Sequence, residues 1–311
     1  MYKSVLIVFF VSLLSGCGND STVKESSTPS PDTTLVSDSI LIERYFAWQD
    51  SIEYTDDDDN YYKNTIRDHE KIRDTILITY YAQQLADSLT KRTGLTLSLE
   101  EWAKYLHTID LNGDNQLDLI YEGQSGGEPF LTEFFLIDTL GIKKIFSGYQ
   151  VVTKMNFKEA KLSSFSIINP GCCTDPAIVE YFYTIKFDSS KVSLTLVNTL
   201  GYLNRLEKST QKLSAPVAFT LKKISKLRCE AASFDGFENP VWGNEGNSIS
   251  LYSIGSKGIV YGSKRYQDEE WLYVSMNPES KPVNSEFPQF LEQPTQLYGW
   301  IRKEDTDLYP D

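Results

Sequence analysis

Histidine and cysteine are scarce in this chain of 311 residues, which has two histidines and four cysteines. This scarcity nearly excludes a metal enzyme built on several histidines and a small fold held by many disulfides, because each needs more of these side chains. Cations are also in deficit, with 30 Lys and Arg against 43 Asp and Glu and a formal charge of −13. Since nucleic-acid binding rests on clustered cations, we predict no nucleic-acid partner.

The common catalytic patterns are missing as well. The sequence has no G-x-S-x-G, H-E-x-x-H or P-loop motif, and no repeat with a period of 20–50 residues. What it does have is the composition of a globular protein, with 41% hydrophobic and 13% aromatic residues. The length suits about two domains of roughly 100–200 residues each.

The first 16 residues have the pattern of a signal peptide. One cation, Lys3, precedes the apolar run Val5–Leu14, which is too short to cross about 30 Å of hydrocarbon as a helix. The sequence Leu14-Ser15-Gly16-Cys17 that follows resembles the bacterial lipobox, in which the cysteine thiol receives diacylglycerol before cleavage. The alternative is an ordinary secretion signal followed by a chance cysteine. The resemblance implies a lipid anchor on Cys17, a membrane as partner, and a place in the cell envelope on the periplasmic or surface side.

The next part of the chain is predicted to be a tether and then helices. Residues 17–38 are rich in Ser, Thr, Pro and Asp, which favours a flexible tether. A first helix is predicted over residues 38–52, and the aspartates at 56–59 are predicted to form a solvated loop rather than a metal cage. A second helix is predicted from about Thr65 to Arg92, ending at Gly94, and a third after the capping box that begins at Ser98.

From about Leu106 onward the pattern changes to antiparallel β. Runs rich in Val, Ile, Phe, Tyr and Thr alternate with turn residues, which predicts strands near Leu117–Tyr121, Thr132–Ile137, Lys144–Ser147, Val151–Phe157, Leu162–Ile168, Val179–Phe187, Val192–Val197 and Val217–Lys222. We therefore predict a mainly β fold with an N-terminal helical segment. Residues 39–224 are assigned to a helical plus antiparallel β domain, and residues 225–311 to a second domain.

An acidic loop precedes the first of these strands. Asp110, Asn112, Asp114 and Asp118 follow the spacing D-x-N-x-D-x-x-x-D, and Ca²⁺ prefers six to eight hard oxygen ligands. These four side chains and the carbonyl of Gln116 are the predicted calcium ligands. The loop resembles those of FG-GAP and VCBS-type repeats and the first nine positions of an EF-hand. The alternative is a cluster of ordinary Asx turns, and the predicted role of the ion is structural.

The loop departs from an EF-hand at two positions. Position 6, usually Gly, is Asn115, which tolerates the left-handed conformation. Position 12, where an EF-hand has a bidentate Glu, is Tyr121. The second departure favours a structural loop before a strand over a calcium sensor.

Two adjacent cysteines support an alternative, enzymatic interpretation. Cys172 and Cys173 lie in a turn-forming stretch, and Cys229 is the remaining thiol after lipidation. A vicinal bridge, one bridge to Cys229 and reduced thiols all stay open. With His69 or His107 as base, Cys172 or Cys173 would give a cysteine-dependent hydrolase or a thiol-redox protein.

The C-terminal part resembles a bacterial SH3-like domain. The resemblance rests on the segments Leu227-Arg228, Gly255-Ser256-Lys257-Gly258, Trp271-Leu272-Tyr273-Val274 and Gly299-Trp300-Ile301. It implies a small five-stranded β-barrel that follows the antiparallel β region and binds a cell-wall or envelope-protein ligand. The candidate ligand-binding residues are Trp271, Tyr273 and Trp300. The sequence as a whole predicts a lipid-anchored, non-enzymatic binding or structural protein stabilised by calcium.

Overall fold

The computed structural model describes residues 65–127, 130–169, 177–188, 191–203, 206–207, 209, 211–235 and 246–309. The tether and the first predicted helix lie outside these residues. Three α-helices open the described part: α1 (Thr65–His69), α2 (Thr75–Thr93) and α3 (Leu99–Lys104). Strands make up most of the rest of the described chain, so the protein is mainly β with an N-terminal helical segment, as predicted.

Fifteen strands follow the helices in chain order. They are β1 (Leu106–Ile109), β2 (Asp118–Gly123), β3 (Leu131–Asp138), β4 (Gly141–Gly148), β5 (Val151–Lys158), β6 (Lys161–Asn169), β7 (Ala177–Asp188), β8 (Lys191–Leu203), β9 (Gln211–Thr220), β10 (Ser225–Arg228), β11 (Ser248–Tyr252), β12 (Lys257–Tyr266), β13 (Glu269–Met276), β14 (Asn284–Ser285) and β15 (Gln296–Arg302). Every strand predicted from the sequence overlaps one of β2 to β9.

The second predicted helix is divided in two. Residues 70–74 separate α1 from α2, where Asp74 caps α2 by accepting hydrogen bonds from the N–H groups of Ile76 (3.0 Å) and Leu77 (2.9 Å). Such a cap satisfies N–H groups that have no partner within the helix. The helix ends as predicted at Gly94, whose φ is 71°. The capping box at Ser98 is also confirmed.

The first sheet is an antiparallel meander in the order β1-β2-β3-β4. Because side chains alternate between the faces of a strand, the sheet buries both sides. One face, with Leu119 and Phe135, packs against α2 and α3. The other face, with Ile120 and Phe134, packs against strands β5 to β7 and α1. The acidic loop leads into β2 at the edge of this layered core.

The second sheet joins the middle of the chain to its end. Strands β5 to β8 form an antiparallel run, and β8 pairs in parallel with β15 through Leu200↔Gln296 and Gly201↔Leu297. Beyond β15 the antiparallel pairings run through β10 and β11 to β14 on one side, and through β13 and β12 to β9 on the other. The predicted SH3-like strands are therefore continuous with the preceding sheet.

A single hydrophobic core extends across the domain boundary predicted between residues 224 and 225. It brings Leu203 and Phe219 together with Leu227, Trp271 and Trp300. The division into residues 39–224 and 225–311 stays a prediction.

Candidate functional site

The acidic loop connects β1 to β2 and is closed by its own backbone. Asp110 accepts hydrogen bonds from the N–H groups of Gly113 (2.7 Å) and Asn115 (2.9 Å), while Asp114 accepts one from Gln116 (2.7 Å). The Oδ1 atom of Asn112 accepts from the N–H of Asp114 at 2.9 Å. The loop turns through left-handed backbone at Gly113 and at Asn115, whose φ values are 74° and 66°. Asn at the second of these positions is therefore a conformational fit, as expected.

Asp118 is the buried member of the loop, with none of its surface exposed. Its two carboxylate oxygens accept hydrogen bonds from the N–H groups of Leu111 and Ile137, each at 2.9 Å. This residue thus ties the loop to β3. Burial raises the pKa of Asp118 to about 7 against the two backbone hydrogen bonds, and the charges of Asp114 and Asp110 raise it further.

The donor chemistry of the loop suits a hard cation. Three carboxylates and one amide oxygen follow one another, and each oxygen that accepts a backbone hydrogen bond keeps a second lone pair. In the described part of the chain, none of Asp110, Asp114 and Asp118 forms an ion pair with Lys or Arg, and no group of three or more His, Cys, Asp or Glu side chains converges on a point where it would hold a metal. A bound ion would require these side chains to draw together.

The predicted ligand-binding aromatics lie in the core. Trp271, Tyr273 and Trp300 are 1%, 1% and 0% exposed. Tyr273 and Trp300 are paired across β13 and β15 with ring centroids 5.3 Å apart, and the indole N–H of Trp300 donates to the carbonyl of Glu207 at 2.8 Å. These three positions therefore present no exposed ring face to a ligand.

A shallow polar cleft lies on the same part of the sheet, beside β10, β11 and β14. Its volume of about 80 Å³ is smaller than the pockets that enclose drug-sized molecules. The lining residues are Lys226, Ser248, Ser250, Leu251, Asn284, Ser285 and Glu286. Lys226 also reaches Asp235, with 2.8 Å between Nζ and Oδ2.

The two histidines are far from equivalent. His107 on β1 is buried, and its Nδ1 lies 3.3 Å from Oε2 of Glu70, which also accepts the backbone N–H of Thr108 at 2.9 Å through Oε1. Burial lowers the pKa of His107 although Glu70 favours the charged form. His69 packs its ring against Phe157 with centroids 5.2 Å apart.

Most of the cysteines on which the thiol hypothesis depends lie outside the described residues. Cys172 and Cys173 lie there, as does the predicted anchor Cys17. Cys229 is described and buried. The cysteine-dependent alternative stays a prediction.

A buried ion cluster was missed by the sequence reasoning. Glu133 on β3 has no exposed surface, and its Oε1 accepts from Arg92 of α2, from Lys144 Nζ (3.1 Å) and from the Ser147 hydroxyl (2.7 Å). The signal was present in the alternation of β3, where an acid occupies a position between Leu131 and Phe135 that faces the helices. A charged residue at a core-facing position indicates a buried pair.

No protein-family description, no curated protein and no solved structure matches this chain. Among the described residues, no helix is long and apolar enough to cross a membrane.

Proposed function

We propose that this chain is a cell-envelope protein held to a membrane by lipid on Cys17, and that its folded part is a non-enzymatic binding or structural module stabilised by Ca²⁺. The observation that carries the calcium part is Asp118, a buried carboxylate close to two others. A divalent cation would neutralise the mutual repulsion of the three carboxylates. Asp110, Asn112, Asp114, Asp118 and the Gln116 carbonyl would hold it.

The lipid anchor is supported by the sequence around Cys17. A thiol, small neighbours and a preceding apolar stretch are what the lipidation reaction requires, and Leu14-Ser15-Gly16-Cys17 supplies them. Two or three acyl chains hold a protein firmly to a bilayer, whereas one gives marginal binding. Mass spectrometry of the mature protein should find an N-terminal peptide that begins at Cys17 with added diacylglycerol. An unmodified mature start, or retention in the cytosol, would contradict the anchor.

The calcium site is tested by thermal unfolding of the mature protein. EGTA should lower the melting temperature and added CaCl₂ should restore it, because an ion that binds only the folded state stabilises it. Asp114→Ala should abolish the difference, since it removes one proposed ligand. Asp188→Ala is the control, because Asp188 lies at the exposed end of β7. A melting temperature that is the same in EGTA and in CaCl₂ would refute the site.

The C-terminal strands are proposed to form the SH3-like module. Support comes from five of the six described strands in this region, which are joined antiparallel in the order β12-β13-β15-β10-β11. The ligand is proposed to be cell-wall material or another envelope protein, bound at the polar cleft rather than on the buried aromatic rings. Saturable retention on purified sacculi would identify the first kind of ligand, and capture of an envelope protein the second.

The cleft offers a matched pair of variants for that experiment. Lys226→Ala removes a cation that lines it, while Lys91→Ala removes an exposed cation on α2, which packs on the first sheet. Retention should fall for Lys226→Ala alone. Equal retention of the two variants would exclude the cleft as the binding surface.

A further inference from the structure

Two cations beside the polar cleft share one carboxylate of the chain itself. Nζ of Lys226, which lines the cleft, lies 2.8 Å from Oδ2 of Asp235. Nη1 of Arg228, two residues further along β10, lies 2.9 Å from Oδ1 of the same side chain. These three groups together carry a net charge of one positive unit, which is unusual in a protein whose formal charge is −13.

The backbone of Asp235 is held in place, while its side chain is largely in solvent. Its carbonyl oxygen accepts the N–H of Asn247 at 2.8 Å, and the preceding carbonyl, that of Phe234, accepts from Arg228 at 3.0 Å. The hydrogen bond from Lys226 lowers the pKa of Asp235, so the carboxylate is ionised at neutral pH. The side chain is nevertheless 62% exposed. Since ion pairs this exposed contribute little to stability, another carboxylate would replace Asp235 on the two cations at small cost.

The hydrogen-bond donors of the cleft match the end of a peptide chain. Lys226 is paired with Leu251 of β11, and Leu251 is paired with Asn284 of β14, so Lys226 and Asn284 stand in one row across three strands. With about 5 Å between neighbouring strands, their Cα atoms are about 10 Å apart. Oδ1 of Asn284 accepts the N–H of Ser285 at 2.9 Å, so the group that Asn284 offers a ligand is its NH₂. Two donors in this arrangement suit a carboxylate and the carbonyl that precedes it.

The remaining polar groups of the cleft are fixed before any ligand binds. The Ser250 hydroxyl donates to that of Ser285 at 2.8 Å, and the Ser285 hydroxyl donates to the carbonyl of Ile249 at 3.0 Å. Glu286 also lines the cleft and supplies an acceptor, which suits an N–H group of a ligand. Groups held in this way lose little freedom on binding. A volume of about 80 Å³ admits the end of a chain rather than a whole drug-sized molecule.

We propose that this cleft binds the carboxylate-bearing end of a peptide, and that Asp235 occupies Lys226 and Arg228 until the ligand displaces it, an inference that rests on the proposed function because it concerns the ligand of that same cleft. Lys226 then binds the ligand carboxylate, and Asn284 donates to the carbonyl before it. Asp235 is an internal competitor that lowers the affinity. A cell-wall peptide and the chain end of an envelope protein both supply such a carboxylate.

Titration of the mature protein in mild detergent with acetylated trialanine tests the chemistry. Ligand-observed NMR should give a dissociation constant at least about ten times lower for the peptide with a free carboxylate than for the same peptide with a C-terminal amide, because hydrogen bonds to charged groups are the stronger ones. Equal dissociation constants, or no binding of the peptide with a free carboxylate, would overturn the proposal.

The role of Asp235 is tested by removing its charge. Asp235→Asn should lower the dissociation constant of the free-carboxylate peptide about two- to fivefold and leave that of the amide unchanged. Asp87→Asn is the control, because it removes the same charge at an exposed position of α2. Unchanged melting temperatures would show that both variants are folded. Equal affinities of the two variants for the free-carboxylate peptide would contradict the competition by Asp235.

Competition experiments identify the source of the carboxylate and separate this inference from the proposed function. The free-carboxylate peptide, but not its amide, should release the protein from purified sacculi if the ligand is a cell-wall peptide, and from a captured envelope protein if it is a chain end. If Lys226→Ala is retained as well as Lys91→Ala, the cleft is not the binding surface and the proposed function fails with it. If Lys226→Ala loses retention while the two peptides compete equally, the carboxylate alone is wrong.

Discussion

Glu122 places a carboxyl group between the two sheets, and its titration should make the stability of the protein depend on pH. The residue lies on β2, and its Oε2 accepts the backbone N–H of Val152 on β5 at 2.7 Å, with the Thr132 hydroxyl 3.4 Å away. Burial raises the pKa of Glu122 from 4.5 to about 7, although both hydrogen bonds oppose the shift. The folded state therefore favours the protonated side chain.

The magnitude follows from the size of the shift. A displacement of about 2.5 units at about 1.4 kcal/mol per unit corresponds to about 3 kcal/mol. Since the folded pKa of Glu122 is above its unfolded value, this stabilisation is present in full below about pH 4.5 and is lost as the pH rises through about 7. Glu122→Gln removes the titratable carboxyl group and keeps an oxygen that can accept the hydrogen bond from the backbone N–H of Val152. The variant should thus gain up to about 3 kcal/mol over the parent at pH 8.

Urea unfolding of the parent and the variant from pH 4.5 to 8.5 measures this difference. The difference between parent and variant is needed because other groups titrate in both proteins. The lowered pKa values of Glu70 and His107 make stability rise with pH, and the raised pKa of Asp118 makes it fall. Glu279→Gln, at an exposed glutamate, is the control for the change of side chain itself. If the Glu122→Gln difference is constant between pH 4.5 and 8.5, the assigned burial of this carboxyl group is wrong.

Two further substitutions test the packing. Trp300→Ala should lower the free energy of unfolding, measured with a chemical denaturant, by about 3–5 kcal/mol because it removes a fully buried ring. The control Tyr309→Ala, at a half-exposed ring, should lower it by less than about 0.5 kcal/mol. Similar stabilities of the two variants would contradict the core position of Trp300. Gly126→Ala should lower the free energy of unfolding by about 1–3 kcal/mol, because φ is +82° and an added Cβ would lie 1.7 Å from the carbonyl oxygen of Thr93. Gly127→Ala is its control, because a Cβ at that position would meet nothing within 4 Å. Equal melting temperatures for the two alanine variants would argue against the close approach of the loop to α2.

Much of the secondary structure could be predicted because its causes are local. The end of α2 at Gly94 and the capping box at Ser98 depend on residues within one turn of the helix. The break between α1 and α2 was missed because it depends partly on a distant strand. Glu70 in the connecting residues accepts the N–H of Thr108 on β1, and a contact between positions so far apart leaves no periodic pattern.

The site residues also differ in whether local sequence or distant contacts determine their environment. The left-handed turn at Asn115 could be predicted from its side chain, and the structure has it. The environment of Trp271, Tyr273 and Trp300 could not, because aromatic residues at alternate positions of a strand occur both on binding faces and in cores. What decides between them here is tertiary packing: the pairing of β15 with β13, β10 and β8 brings these strands into one sheet, and the hydrophobic core that they share buries the three rings. Those pairings join segments up to about a hundred residues apart.

The position of β15 has a consequence for how this protein is made. The strand lies between β13 on one edge and β8 and β10 on the other, yet it comes after every other strand of the described residues. During synthesis the larger sheet therefore has an open gap until β15 is made, and β8, already paired with β7, lacks its second neighbour until about a hundred residues later. Joining such distant segments is slow, because the loop between them must close first. The larger sheet can therefore close only after β15 has been made, whereas the first sheet is built entirely from strands that precede β5 in the chain.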